Sequence, residues 1–247
     1  MRILKYTGLI TVRTASSRLP NKCLLPLGQE TVISHVIKRT LNSGIKPILC
    51  TSRDSGDDIL EEIANQLNVS CFRGSMDNKL QRWYDCAVKF NVDNFHTIDA
   101  DDPFFDGSEM IQSLNLLSSK DYDVVCPTES SSSGGASVGY SLTKDIVKRA
   151  LEGTNDSTDT EMMWGFLEKV NGIKMTNLPE SCKYGLKVRL TLDFEEDYWL
   201  LNSLARVLGS NVSRKEVCEF FLRNPDFSKI NYFRNEEWKN AQILKST

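Results

Sequence analysis

Three cations and four hydroxyls crowd one short stretch of the chain. An apolar run, Gly8-Leu9-Ile10-Thr11-Val12, breaks into Arg13-Thr14-Ala15-Ser16-Ser17-Arg18-Leu19-Pro20-Asn21-Lys22, so that Arg13, Arg18 and Lys22 stand among Thr11, Thr14, Ser16 and Ser17. Arginine forks onto phosphate oxygens, lysine brings a point charge, and hydroxyls with backbone N–H groups add neutral donors; the set suits a triphosphate. The loop has neither the Walker A pattern nor GxGxxG, and by composition alone a solvated basic loop is as good a reading. Two acidic groups supply the opposite chemistry. Asp99, Asp101 and Asp102 follow Phe95-His96-Thr97-Ile98, and Asp193 follows Lys187-Val188-Arg189-Leu190-Thr191-Leu192. Carboxylates that end strands lie where open α/β sheets gather ligands, and they suit a hard cation such as Mg²⁺. An Asp-rich turn before Pro103 and an acidic helix start at Glu195, Glu196 and Asp197 are the plainer readings of the same residues.

Positioning these groups takes an alternation of strands and helices. Short β-like runs are expected at 8–12, 47–51, 69–73, 95–99 and 123–127, and helical apolar spacing at 31–41, 57–67, 78–90 and 108–117. This alternation is that of a mainly parallel α/β sheet. Gly44 ends the first helix and Ser108 is expected to cap the fourth. Further on, 143–151 and 160–170 read as helices, 187–192 as an alternating strand, and 195–208 as a helix. Ser213-x-x-Glu216 is a capping box that opens one more, stopped by Asn224-Pro225. The run Ser130-Ser131-Ser132-Ser133-Gly134-Gly135 reads as a flexible loop beside a site. His96 is expected to be packed within its strand, and Met162, Met163, Trp164 and Phe166 to be core or dimer-interface residues.

With 247 residues and 40% hydrophobic content the chain can bury a large core, and one domain over 1–247 is expected. Thirty basic against thirty-three acidic residues give a net charge of −3, which leaves no global field to gather nucleic acid. No window is apolar enough to span a bilayer and no secretory signal is evident, so a cytoplasmic location is expected. Seven scattered cysteines without a CxxC pair read as buried thiols, and two isolated histidines argue against zinc.

The segment RTASSRLPNKCLLPLG resembles the opening signature of the CTP-dependent cytidylyltransferases that activate acidic sugars, the CMP-KDO and CMP-sialate synthetases. It is most similar to their spore coat polysaccharide (SpsF-like) group, with Arg13, Ser16, Arg18 and Lys22 on the pattern. Thr97-Ile98-Asp99-Ala100-Asp101-Asp102-Pro103 resembles the family's G-D-x-P block, with Ala100 in place of Gly, and Arg189-Leu190-Thr191-Leu192-Asp193 resembles its R-L-T-V-D block. The resemblance runs from about Gly8 to Asn231 and is weakest between Ser130 and Lys183, where Met162 follows Glu161 in place of the family's His. It implies a three-layer α/β/α, Rossmann-like nucleotide-diphospho-sugar transferase fold with a mostly parallel mixed sheet and an excursion at about 130–190 that forms a homodimer. Implied too are a triphosphate site at Arg13, Ser16, Ser17, Arg18 and Lys22, and Mg²⁺ on Asp101 and Asp193. Ser75, Asn78 and Arg82, in a matching F-R-G-S block, become base, ribose or substrate contacts, and Glu161 and Arg189 acceptor contacts. The implied reaction moves CMP from CTP to an acidic 2-keto-3-deoxy sugar, with Arg13, Lys22, Asp101 and Asp193 catalytic. A sugar 1-phosphate or small phosphonate acceptor, or a non-catalytic nucleotide-binding scaffold, are the alternatives.

Overall fold

The computed structural model describes residues 5–119, 121–180 and 187–246, with side chains to Asn240. Its strands are β1 (Tyr6–Thr11), β2 (Pro26–Leu27), β3 (Glu30–Thr31), β4 (Ile45–Ser52), β5 (Ser70–Gly74), β6 (Asn94–Asp99), β7 (Val124–Cys126), β8 (Ser141–Thr143) and β9 (Met175–Asn177). The α-helices are α1 (Val32–Asn42), α2 (Asp58–Gln66), α3 (Lys79–Lys89), α4 (Gly107–Ser118), α5 (Glu129–Ser132), α6 (Lys144–Ala150), α7 (Trp164–Leu167), α8 (Glu195–Leu208), α9 (Arg214–Arg223) and α10 (Arg234–Ser246). β2 and β3 pair with each other; the other seven form one sheet in the order β5-β4-β1-β6-β8-β7-β9. β8 is antiparallel to both its neighbours and every other pairing in that sheet is parallel.

Strand alternation divides the core between the two faces. Ile10, Leu49, Ile98 and Val125 meet α1, α2 and α4 on one side, whereas Leu9, Ile48, Phe95 and Val124 meet α3, α6 and α7 on the other. The result is the expected three-layer arrangement, and α8 and α9 add a third apolar cluster with Leu27, Val32, Leu190 and Leu192. Helix starts follow from local donors and acceptors: Thr31, Asn78 and Thr143 accept from backbone N–H groups of α1, α3 and α6, and Ser213 with Glu216 closes the capping box of α9.

Four expectations differ from the structure. Asp106, not Ser108, caps α4, because its carboxylate accepts from both the N–H and the hydroxyl of Ser108. Residues 187–192 form no strand: Leu190 N–H reaches Gly134 O and Leu192 N–H reaches Asp101 O, so their partners are loops. Helix 160–170 shrinks to the single turn α7, since the Thr160 hydroxyl is spent on Leu80 N–H and Asn78 Oδ1 at the start of α3. The serine run, expected as a loop, begins inside α5, with Ser131 fully buried. Both ring nitrogens of buried His96 are bonded, to Ser141 Oγ and Val138 O. Cys23, Cys50 and Cys86 are buried free thiols; Cys71, Cys126 and Cys218 are half-buried, and Cys182 lies outside the described residues.

A close chain approach sets the position of Tyr140. Gly139 has φ +87°, and a Cβ there would lie 1.9 Å from Thr97 O. Only glycine therefore lets Tyr140 dock on β6, through Thr97 N–H to Tyr140 O at 2.7 Å.

Candidate active site

A cavity of about 490 Å³ opens at the carboxyl ends of β1 and β6. Its size is that of a site for a small organic ligand. One end collects Arg18, Lys22, Asp101, Asp102, Thr191, Asp193 and Trp238; the other collects Lys79, Trp83, Asp99, Tyr140, Glu161 and Trp164, with Arg13 and residues 15–17 also in the lining.

The loop that follows β1 is held by its own backbone and by a buried carboxylate. Asn21 N–H donates to Thr14 O and Lys22 N–H to Leu19 O, with Asn21 in the left-handed region at φ 55°. Asp57 Oδ1 accepts from the N–H and the hydroxyl of Thr14, at 2.8 Å each, while its Oδ2 accepts from Thr51 and Ser52. Asp57 escapes a reading of the sequence, in which it is one of several acids loading the start of α2. Burial favours the protonated carboxyl, but the donors of Ser52, Thr14 and Thr51 outweigh it and hold Asp57 below its ordinary value. A depressed native pKa stabilises above the unfolded value and ceases to do so as pH falls through it. The contribution of Asp57 is thus expected to be whole above about pH 4 and to fade below. Asp57→Asn should flatten the acid limb of a plot of thermal midpoint against pH, and parallel limbs in the two proteins would contradict this.

At the first end of the cavity the charges interlock. Lys22 Nζ donates to Asp101 Oδ2 at 2.9 Å, Asp193 Oδ1 at 3.0 Å and Leu192 O at 2.7 Å, and Arg18 donates to Asp193 Oδ1 at 2.6 Å. Burial works against both charged partners, yet the two carboxylates raise the Lys22 ammonium above its usual range, and Lys22 with Arg18 pulls Asp193 down to about 2. Asp102 goes the other way. Burial, then the charges of Asp101, Asp99 and Asp193, push its carboxyl well up, and its Oδ1 has no hydrogen-bond partner among the described residues.

This donor set fits a hard divalent cation bound jointly with a ligand. Asp101 and Asp193, ninety-two positions apart in sequence, already share one cationic nitrogen within 3.0 Å. Among the described residues no three His, Cys, Asp or Glu side chains group closely enough to enclose a metal. Two carboxylates completed by phosphate oxygens and water form the usual environment of Mg²⁺.

The second end is aromatic with one buried cation. Lys79 Nζ lies 5.0 Å from the Trp83 ring centre, 3.4 Å from Asp99 Oδ1 and 3.6 Å from Glu161 Oε1; Glu161 Oε2 meets Arg13 at 3.3 Å. Tyr140 and Trp164 pack edge to face beside it. Helical spacing gives no sign of Lys79, which sits in the first turn of α3 where an exposed lysine is the usual case.

The structure brings Arg13, Ser16, Ser17, Arg18, Lys22, Asp101, Glu161 and Asp193 to this cavity. Four other expected contacts are turned away from it. Ser75 donates to Asp156 O, Asn78 caps α3 and donates to Asn155 O, and Arg82 donates to Ser75 O and Met76 O, all three buried. Ser75 and Asn78 tie the 74–78 turn to 154–160, and Arg82 braces the same turn from α3. Arg189 is wholly buried and paired with Asp197, so it serves Asp193 from behind. The sequence does not show this, because a polar side chain that serves the fold is the same in type as one that serves a ligand; Ser75 and Asn78 moreover find their partners about eighty positions away.

Residues 7–176 match the family model described as Cytidylyltransferase. The spore coat polysaccharide biosynthesis protein SpsF of Bacillus subtilis is 27% identical over 229 residues, which cover 88% of this chain and 94% of that protein. A cytidylyltransferase structure from Leptospira borgpetersenii serovar Hardjo-bovis superposes with a TM-score of 0.81 at 25% identity, covering 91% and 96% of the two chains. CMP:2-keto-3-deoxy-manno-octonic acid synthetase complexed with CTP shares the fold at a TM-score of 0.59 and 14% identity, covering 81% and 98%. No helix among the described residues is long and apolar enough to cross a membrane.

Proposed function

The chain belongs to the cytidylyltransferase family, and from that premise we propose that it transfers CMP from CTP to an acidic 2-keto-3-deoxy sugar, with release of pyrophosphate. The observation that carries this reading is the interlocked cluster of Arg18, Lys22, Asp101 and Asp193 in one cavity. Such a cluster complements a ligand that is itself polyanionic and metal-bearing, as a nucleoside triphosphate with Mg²⁺ is.

In this reading Arg13, Arg18 and Lys22 bind the triphosphate and offset the negative charge that grows on the departing pyrophosphate. Asp101 and Asp193 would hold Mg²⁺, which when bound neutralises phosphate charge and makes the α-phosphorus more electrophilic. The acceptor hydroxyl oxygen forms a bond to the α-phosphorus, the bond from that phosphorus to the bridging oxygen breaks, and the hydroxyl proton leaves with water. Neither histidine is placed to take it. His35 and His96 are buried away from the cavity and burial holds both down to about 4. The acceptor takes the aromatic end, where Arg13 and Lys79 pair with the carboxylates of Glu161 and Asp99. An acceptor carboxylate would exchange with that of Glu161 on these two cations, and the half-buried Tyr140 and Trp164 offer faces for sugar C–H groups. The relation to SpsF supports a role of the product in surface polysaccharide or glycan synthesis; a cytoplasmic homodimer is part of the same proposal.

Thermal unfolding with CTP, UTP, GTP and ATP, each with and without Mg²⁺, tests the reading. A ligand at about 100 times its dissociation constant adds about 2.7 kcal/mol, which should raise the midpoint by roughly 5–10 °C. A magnesium-dependent rise confined to CTP is expected, followed by pyrophosphate release with acidic sugars and not with sugar 1-phosphates or phosphonates. A rise with another nucleotide alone would overturn the proposed donor, no rise with any would overturn nucleotide binding itself, and a rise with CTP but no turnover of any acceptor would favour the scaffold.

A further inference from the structure

Past α9, the chain turns through Pro225–Ile230 and returns to the end of the cavity that holds Asp193. The turn delivers Asn231, fully buried, between two groups that hold Asp193. Asn231 Nδ2 donates to Arg189 O and to Asp197 Oδ1, at 2.9 Å each. Asp197 Oδ2 accepts from the backbone N–H of Asp193 at 2.9 Å and of Phe194 at 3.0 Å, and Arg189 bridges from Asp197 to Asp193 Oδ2 at 3.3 Å. Asp193 is thereby fixed at its backbone by one residue and at its carboxylate by the other, and Asn231 is bonded to both of them.

The orientation of the amide is dictated by chemistry. Both facing atoms are acceptors, so only the NH₂ side can point at them, and Asn231 Oδ1 is left without a partner among the described residues. Farther along the same segment Arg234 pairs with Glu196 at 3.0 Å, and Trp238 covers the Arg189 guanidinium at 5.4 Å while lining the cavity. The 231–238 segment lies beyond the stretch matched by the family model, which ends at 176.

We propose that Asn231 is a positioning residue for Asp193: by orienting Asp197 and the Arg189 backbone it holds the Asp193 carboxylate in the direction that receives the divalent cation. This rests on the proposed role of Asp193 in CTP-dependent transfer. Groups that orient a metal-binding carboxylate commonly change metal affinity about 10–100-fold when removed.

The test titrates Mn²⁺ into the full chain with CTP and follows free Mn²⁺ by its paramagnetic resonance, for wild type, Asn231→Leu and Asn231→Ser. Leucine keeps the volume and removes both donors; serine keeps one donor. The Mn²⁺ dissociation constant is expected to rise about tenfold or more for leucine, and by less for serine. A purely structural strut would lower the thermal midpoint and leave Mn²⁺ affinity unchanged, and that result overturns the proposal. Should the leucine variant not fold, the serine variant decides in the same way. Wild type that takes up no Mn²⁺ with CTP overturns the underlying functional reading instead, and is recognised before any variant is compared.

Discussion

Asp101→Asn is expected to slow CMP transfer about 10³-fold, a barrier increase of about 4 kcal/mol, while the unliganded chain unfolds at nearly the wild-type temperature. Two separate physical effects lead to this split. Catalytically, the substitution removes one of two anionic ligands for a cation that counters charge at the reacting phosphate, and the remaining Asp193 cannot bind it from both sides. Structurally, Asp101 is a third exposed and stands within three residues of two other carboxylates. Asp99 and Asp102 are pushed up by burial first, with the charge of Asp101 adding to it, so neutralising position 101 relieves repulsion. Against that gain, Lys22 loses one of its two carboxylate partners but keeps Asp193 and Leu192 O. The opposing changes are similar in kind and partly screened by water. Pyrophosphate release and thermal unfolding on the same sample measure both halves. Turnover close to wild type would remove Asp101 from the metal role, and a large fall in midpoint would make it a structural residue.

Asp193→Asn should not show this separation. Its carboxylate is nearly buried, meets Arg18, Lys22 and Arg189, and is pulled down to about 2. A carboxyl so depressed stabilises the fold above about pH 4 and loses that contribution as the pH falls toward 2.

What could be read from the sequence was local. The 13–22 loop is one continuous segment, so its cations and hydroxyls announce themselves. The β1, β4, β5 and β6 strands with α1, α2 and α3 carry clean apolar periods because each packs one face on the sheet. Where the partner decides the outcome, the pattern misleads. Residues 187–192 alternate as a strand does, since Leu190 and Leu192 face the third apolar cluster, yet only loops border them. Alternation reports burial on one side and cannot report what the backbone bonds. Arg82 and Arg189 are likewise indistinguishable by type from arginines that bind phosphate; both are buried on nearby carbonyls or a carboxylate, and residue type does not say which way the guanidinium turns. Lys79 enters the cavity because Asp99 and Glu161 draw it there, and Asn231 meets Asp197 across thirty-four positions. No window of sequence contains these relations.

The Arg189–Asp197 pair should be the most sensitive point of the fold. Both side chains are fully buried, joined by Nε to Oδ1 at 2.9 Å and Nη2 to Oδ2 at 3.0 Å. Breaking a buried pair strands the surviving charge, which typically costs about 3–5 kcal/mol, so Arg189→Met is expected to lower the midpoint on the order of 6–20 °C. Asp197→Leu should cost more. It strands the Arg189 charge, left with Asp193 and the rings of Phe194 and Trp238, and it also orphans the N–H groups of Asp193 and Phe194 and one donor of Asn231. Each buried donor without an acceptor adds about 1–3 kcal/mol, a large share of the roughly 5–15 kcal/mol that holds a domain together. The double variant Arg189→Met/Asp197→Leu should then recover only part of the loss, because it cures the stranded charge and not the orphaned donors. Denaturant unfolding of the three variants decides the order. Full recovery in the double variant would mean that the ion pair alone matters, whereas partial recovery identifies Asp197 as the hub through which α8 and the 231–238 segment fix the position of Asp193.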